Sequence, residues 1–203
     1  MMTPMPDIAP AARRMADLLA GVRDFQLDAP TPCADTSLGA LIDHVSGLSL
    51  AFTWAATKNF PDGGSQPPSA GQAGIGDETA LPPDWRARLP ERLDALAAAW
   101  RVPDAWQGMT AAGGLDLPGD TAGHVALNEL VVHGWDIARA SGQPYDASKD
   151  EIEACLVFVA PSVEQSGGEG VPGLFGPALG APQDASPLDR LIAMTGRDPA
   201  WTP

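Results

Sequence analysis

A mainly α bundle is the fold class this sequence predicts, and three observations predict it. Apolar residues recur at three- and four-residue steps along several segments, the period of a helix with one buried face. Those segments are bounded by Ser, Asp, Pro and Gly at places where helices start and stop. No sustained strand alternation and no internal repeat is visible. The 203 residues are expected to form one domain, 1–203, long enough to bury a sizeable core unaided.

The first helix is expected from Ile8, Ala11, Ala12, Met15, Leu18, Leu19, Val22 and Phe25. Asp7 is its expected cap, and Pro10 falls in the first turn, where a missing N–H costs nothing. The link Ala29-Pro30-Thr31-Pro32 closes it. Leu38, Leu41, Ile42, Val45, Leu48 and Phe52 mark a second helix running to about Lys58. Residues 59–83 are rich in Pro, Gly and Ser without a period, the composition of a mobile lid or a partly disordered stretch. A third helix carries Trp85, Leu89, Leu93, Leu96 and Trp100 on one stripe, and Pro90 should kink it or mark its start. Residues 103–119 read as a connector able to hold a small hairpin.

The fourth helix, Asp120 to Ser141, takes Asp120 or Thr121 as its cap and is stopped by Gly142 and Pro144. Ser148-Lys149-Asp150-Glu151 is a capping box for a fifth helix that Pro161 should end. A Gly/Pro-rich arm, 161–185, leads to a last short helix. Ser186 caps it, Pro187 takes its first position and Gly196 closes it.

The 26 acidic residues outweigh 12 basic ones, for a net charge of −14 and a pI near 4.3. That sign repels phosphate backbones and anionic lipid, so neither nucleic-acid nor membrane partners are expected. No apolar stretch approaches the ~18 residues of a membrane span. Arg13, Arg14 and Asp17 interrupt the apolar run a signal peptide needs, and a cytoplasmic protein is expected. Cys33 and Cys155 belong to no CxxC pattern, which argues against a disulfide framework or a cysteine zinc knuckle. Cys33 precedes the second helix without a visible companion base and reads as an inert thiol. No Gly-x-Ser-x-Gly, GxGxxG or Walker pattern occurs. Trp85, Trp100, Trp106 and Trp135 read as core anchors.

Three histidines remain: His44, His124 and His133. Glu129 and His133 stand one turn apart on one face of the fourth helix, so both heads can reach the same divalent ion. A surface hydrogen-bonded pair is the plainer explanation of that spacing. His44 lies mid-helix at the edge of an apolar stripe, as a satisfied core histidine or as a ligand. If helices two and four face each other, the three form a His2Glu site inside a bundle, with a free position of the catalytic-zinc kind. His124 lies about 140° round the helix from Glu129 and is expected at solvent or in a hydrogen bond near the helix start. Asp136 either orients a ligand imidazole from behind or pairs with Arg139 along the helix, the latter being slightly favoured.

Three stretches carry a family resemblance. Asn128-Glu129-Leu130-Val131-Val132-His133-Gly134-Trp135-Asp136-Ile137-Ala138, followed by Ala140-Ser141-Gly142, resembles the signature of actinobacterial proteins related to mycothiol-dependent maleylpyruvate isomerase, within the DinB/YfiT-like superfamily. Thr31-Pro32-Cys33 leading into Leu38, Leu41, Ile42, Asp43, His44 and Val45 resembles that family's second-helix motif. Ala185-Ser186-Pro187-Leu188-Asp189-Arg190-Leu191 through Gly196-Arg197-Asp198-Pro199 resembles its closing motif. The skew of ten Arg to two Lys, with abundant Ala, suits such a host.

The resemblance implies a DinB-like four-helix bundle holding a divalent metal, usually zinc, at His44, Glu129 and His133. Nickel, iron and manganese also suit that donor set. It further implies mycothiol, bacillithiol or another low-molecular-weight thiol as cosubstrate, with S-transfer or isomerisation of a small electrophilic substrate. The isomerase itself has an additional C-terminal domain that helps form its active site. This chain ends soon after the closing motif, so the metal site carries over and the maleylpyruvate substrate does not. A metal-dependent hydrolase and a non-catalytic metal- or ligand-binding bundle are the alternatives, and the bundle class also allows a homodimer.

Overall fold

Ser37, Ser148 and Ser186 each accept a hydrogen bond from the backbone N–H three residues on, at 3.0–3.2 Å, and each opens a helix. This is the N-cap interaction, which satisfies donors that the first turn leaves free. At Ser148 the Glu151 carboxylate closes the reciprocal bond to the Ser148 N–H at 2.7 Å, completing the expected capping box. The computed structural model describes residues 5–61, 81–171 and 174–203. Its helices are α1 Ala9–Gly21, α2 Leu38–Thr57, α3 Trp85–Trp100, α4 Gly119–Ser141, α5 Lys149–Gln165 and α6 Pro187–Met194. Between α3 and α4, strands β1 (Met109–Ala112) and β2 (Leu115–Pro118) form the small hairpin, turning through Gly113 and Gly114 at φ 58° and 83°.

α1 and α2 each pack against both α3 and α4, so the four close into a ring with α1 diagonal to α2 and α3 diagonal to α4. This is the expected mainly α four-helix bundle. α5 packs on α4 from outside, and α6 on α5. The consequence falls on α4, which is surrounded: every residue from Ala122 to Ala138 is buried. Gly123 lets the Trp106 ring lie where a Cβ would stand. The four core tryptophans are buried as expected, and two use their indoles as struts, Trp100 donating to the Phe52 carbonyl (3.1 Å) and Trp106 to that of Trp100 (2.8 Å). No helix among the described residues is long and apolar enough to cross a membrane.

Several boundaries differ from expectation. α1 stops at Gly21 because Val22 turns extended (φ −72°, ψ 133°), and Phe25 falls in a 3-10 turn, Asp24–Gln26, with 76% of its surface exposed. Ile8, not Asp7, takes the cap position. The Asp7 carboxylate instead accepts from the Ala9 N–H at 3.0 Å. α4 opens at Gly119 after Pro118, and Asp120 accepts from the Thr121 N–H inside the first turn. Neither proline of α3 and α5 ends its helix. Pro90 lies inside α3 and Pro161 inside α5, each withholding a donor from a residue on an exposed side, Arg86 and Val157, where water can replace it. Of the expected lid, residues 62–80 lie outside the described residues, as do 172–173 of the arm. The described arm docks on α6 through the Leu179 N–H to the Ala193 carbonyl, 2.8 Å.

Candidate metal centre

A helix buried on every side ought to be apolar, yet α4 carries His124, Asn128, Glu129, His133 and Asp136 inward. Buried polar groups cost several kcal/mol unless something satisfies them, so their partners decide what this helix does (roughly 2–7 kcal/mol each). α2 supplies one partner. The ring order sets α2 beside α4, and His44 of α2 meets the Glu129–His133 face. His133 Nε2 lies 2.9 Å and His44 Nε2 3.7 Å from the same Glu129 Oε2. The two imidazoles stand edge to face with centroids 4.9 Å apart.

One ligand atom from each of the three lies within 4.8 Å of the others. Donors around a tetrahedral zinc ion, at ~2.1 Å from it, stand about 3.4 Å apart, so side-chain adjustments of under ~1.5 Å would seat an ion. Two neutral-capable imidazoles and a carboxylate are also the donor chemistry of an open, catalytic-type site. Among the described residues no further His, Cys, Asp or Glu joins the group. The residues fit the group.

The electrostatics follow from the geometry. Burial pushes the Glu129 carboxyl up, but its hydrogen bonds to His133 and His44 win and hold it well below the usual carboxylate range. Burial pulls His133 down, and Asp136 and Glu129 together overcome that, raising it to about 10. His44 is held below the usual imidazole range by burial, against the pull of Glu129. Without an ion, Glu129 and His133 therefore stand as a charged pair beside a neutral His44.

Behind His133 the arrangement departs from the favoured expectation. Asp136 does not pair with Arg139. Its Oδ2 accepts from His133 Nδ1 at 3.0 Å and from the Arg197 guanidinium at 3.1 Å, while Arg197 Nε lies 3.4 Å from Oδ1. Arg139 instead lies over the Trp135 ring and donates to the Pro199 carbonyl at 3.0 Å. The carboxylate at Asp136 has no exposed surface, and Arg197 is 6% exposed. Sequence reasoning left Arg197 without a role; its only signal was its place in the closing motif.

His124 stands apart from the trio, as its position on the wheel required. It is buried rather than at solvent, with Nδ1 facing the Asp120 carbonyl at 2.8 Å and its ring edge-on to Trp106. Its Nε2 and the Asn128 Oδ1 have no hydrogen-bond partner among the described residues. Cys33 is half-buried, with the Thr36 hydroxyl 3.8 Å from its sulfur. Two surface cavities of about 480 and 490 Å³ border the Trp135–Tyr145 and the Pro10–His124 regions; neither is lined by the trio.

Comparison with known proteins agrees with this architecture. The model of the mycothiol maleylpyruvate isomerase N-terminal domain family matches residues 8–138, the span that holds His44, Glu129 and His133. Uncharacterised proteins of Mycobacterium tuberculosis, from strains CDC 1551 / Oshkosh and ATCC 25618 / H37Rv, are each 30% identical over 191 residues, covering 90% of this chain and 91% of theirs. The crystal structure of the mycothiol-dependent maleylpyruvate isomerase superposes with a TM-score of 0.53 at 19% identity, over 83% of this chain and 75% of that one. A histidine-to-alanine mutant of the same enzyme gives 0.54. Identity at that level speaks for the shared fold. The family match over more than half of the chain makes this protein a member of the mycothiol maleylpyruvate isomerase N-terminal domain family.

Proposed function

We propose that this chain is a metal-dependent enzyme of thiol chemistry. His44, Glu129 and His133 would hold one divalent ion, zinc first and nickel, iron or manganese as further occupants. The cosubstrate is a low-molecular-weight thiol of the mycothiol type, used in S-transfer to, or isomerisation of, a small electrophilic substrate. The observation that carries the reading is the convergence of two imidazole Nε2 atoms on one oxygen of a buried carboxylate, between adjacent helices of the bundle.

A divalent ion bound there supplies Lewis acidity, which lowers the pKa of a thiol that occupies an open position. The chain's own residues do the rest. Glu129 contributes the one anionic donor of the trio. The Glu129–His133 pair keeps the donors together before an ion arrives. Asp136 holds the far nitrogen of His133, which leaves Nε2 directed at Glu129. The surrounding bundle leaves His133 only 6% exposed.

The hydrolase alternative needs a free general base near the ion, and Asp136 was the sequence's one candidate. That carboxylate is wholly buried and engaged by His133 and Arg197, which disfavours it as a base for water. A closed structural site would need a fourth side-chain donor, and the described residues add none to the trio.

The test is metal content by inductively coupled plasma mass spectrometry on tag-free protein, beside His44→Ala and His133→Ala. The expected result is about one ion per chain in the parent and loss in both variants. Thiol-dependent turnover of an electrophile by the loaded parent, absent without the thiol, then separates this reading from the hydrolase. A parent that binds no added zinc, nickel, iron or manganese overturns it.

A further inference from the structure

Asp136 and Arg197 lie 61 residues apart in sequence, and the local structure around Gly196 explains how they meet. α6 ends in a Schellman turn. The Arg197 N–H returns to the Ile192 carbonyl at 3.2 Å and the Gly196 N–H to that of Ala193 at 3.0 Å. Gly196 sits at φ +81°, a conformation that favours glycine, and its missing Cβ leaves room for the backbone of Gly176 at 2.9 Å. The turn reverses the chain and sends Arg197 inward. Its Nη1 donates to the Thr195 carbonyl at 2.9 Å, which fixes the plane of the guanidinium, and Nη2 and Nε then face the two oxygens of Asp136. The helix that carries this turn is anchored by Leu191, Ile192 and Ala193, none of them exposed.

We infer that Arg197 is a positioning residue of the metal centre: acting through Asp136, it fixes the His133 ring so that Nε2 faces the point shared with His44 and Glu129. The inference rests on the metal reading above. A carboxylate with no solvent is unstable as an anion and free to rotate unless a cation holds it. The two-point contact of a guanidinium is that hold, and it keeps Oδ2 on His133 Nδ1. An ammonium in its place supplies charge without the fork. The closing segment thus belongs to the site as its outer support, although it holds none of the three candidate ligands.

The experiment uses the full chain, stripped of metal, in five forms: parent, Arg197→Met, Arg197→Lys, Arg139→Met and His133→Ala. Zinc affinity is read by competition with a chromophoric chelator, ligand geometry by the visible absorption of the cobalt form, and folding by circular dichroism melts. Loss of an outer partner of a metal-binding histidine weakens metal by about 10–100-fold, which is the expected result for Arg197→Met, with a displaced cobalt band. Arg197→Lys should fall between it and the parent. Arg139→Met removes the tail's bond to the Pro199 carbonyl without touching Asp136, and should leave affinity unchanged.

Parent-like affinity and cobalt spectrum in Arg197→Met, while His133→Ala loses the ion, overturn the inference and leave the metal reading standing. A loss in Arg139→Met equal to that in Arg197→Met also overturns it, because tail docking alone would then explain the effect. If Arg197→Met does not fold, Arg197→Lys decides: weakened binding upholds the role and parental binding overturns it. A parent that takes up neither zinc nor cobalt overturns both readings.

Discussion

His44 and His133 stand edge to face, 88° between their planes and 4.9 Å between their centroids, with both Nε2 atoms turned to one oxygen of Glu129. One comes from α2 and the other from α4. The carboxylate between them is the charge that a cation would find and the acceptor that keeps the rings together without one.

Glu129→Gln keeps the volume and removes the charge. Zinc binding should fall by at least about 100-fold, since an anionic ligand is lost and a neutral amide is a poor donor to this ion. Equilibrium dialysis against a chelator measures it. Retention of parental affinity would remove Glu129 from the ligand set.

Metal uptake at neutral pH should release about one proton per ion. His133, raised to about 10 by Asp136 and Glu129 acting against burial, is protonated at neutrality and must give up its Nε2 proton to become a ligand. Calorimetric titration in buffers of different ionisation enthalpy reads the number directly. Zero protons would mean that His133 is neutral before the ion binds.

The metal-free protein should be most stable near neutrality. His133 has a folded pKa above its unfolded one, so its contribution is full below the ordinary imidazole value and is lost as pH rises through about 10. Glu129 is depressed, so its contribution is present above the ordinary carboxylate value and lost in acid. His44 is also depressed, and protonation of the unfolded chain below about pH 6.5 draws stability away. Thermal melts across the range check this. A melting temperature that climbs from neutral pH towards 10 would contradict it.

Gly123→Ala tests how tightly α4 is surrounded. The added Cβ would overlap the Trp106 ring, which is tied by its indole to the Trp100 carbonyl. Overpacking of this kind should cost about 1–3 kcal/mol, read from urea unfolding. An unchanged midpoint would show that the ring has room to move.

Much of the fold was legible because helix signals are local. The Ser148 capping box, the stop at Gly142 and the close at Gly196 each act within a few residues, and each lies where the sequence put it. Misplaced boundaries have the same origin. The apolar period carries on to Phe25, but nothing within four residues reports that the chain turns away at Val22, and Pro161 is harmless because its helix face is wet. At the candidate site, the Glu129–His133 spacing was readable from one helix. The role of Asp136 was not, because two short-range partners were available to it and the deciding one, Arg197, comes from the far end of the chain.

The sequence by itself determined the helices, the caps at Ser148 and Ser186 and the family to which the chain belongs. It also determined that one turn of α4 carries a carboxylate and an imidazole on a common face. Only the tertiary structure decided that α2 lies beside α4, that His44 meets the pair, and that α4 is enclosed with its charges inside. The reason is range. Periodicity and capping act over about four residues, whereas burial and pairing of charge depend on which helices the closed ring makes neighbours.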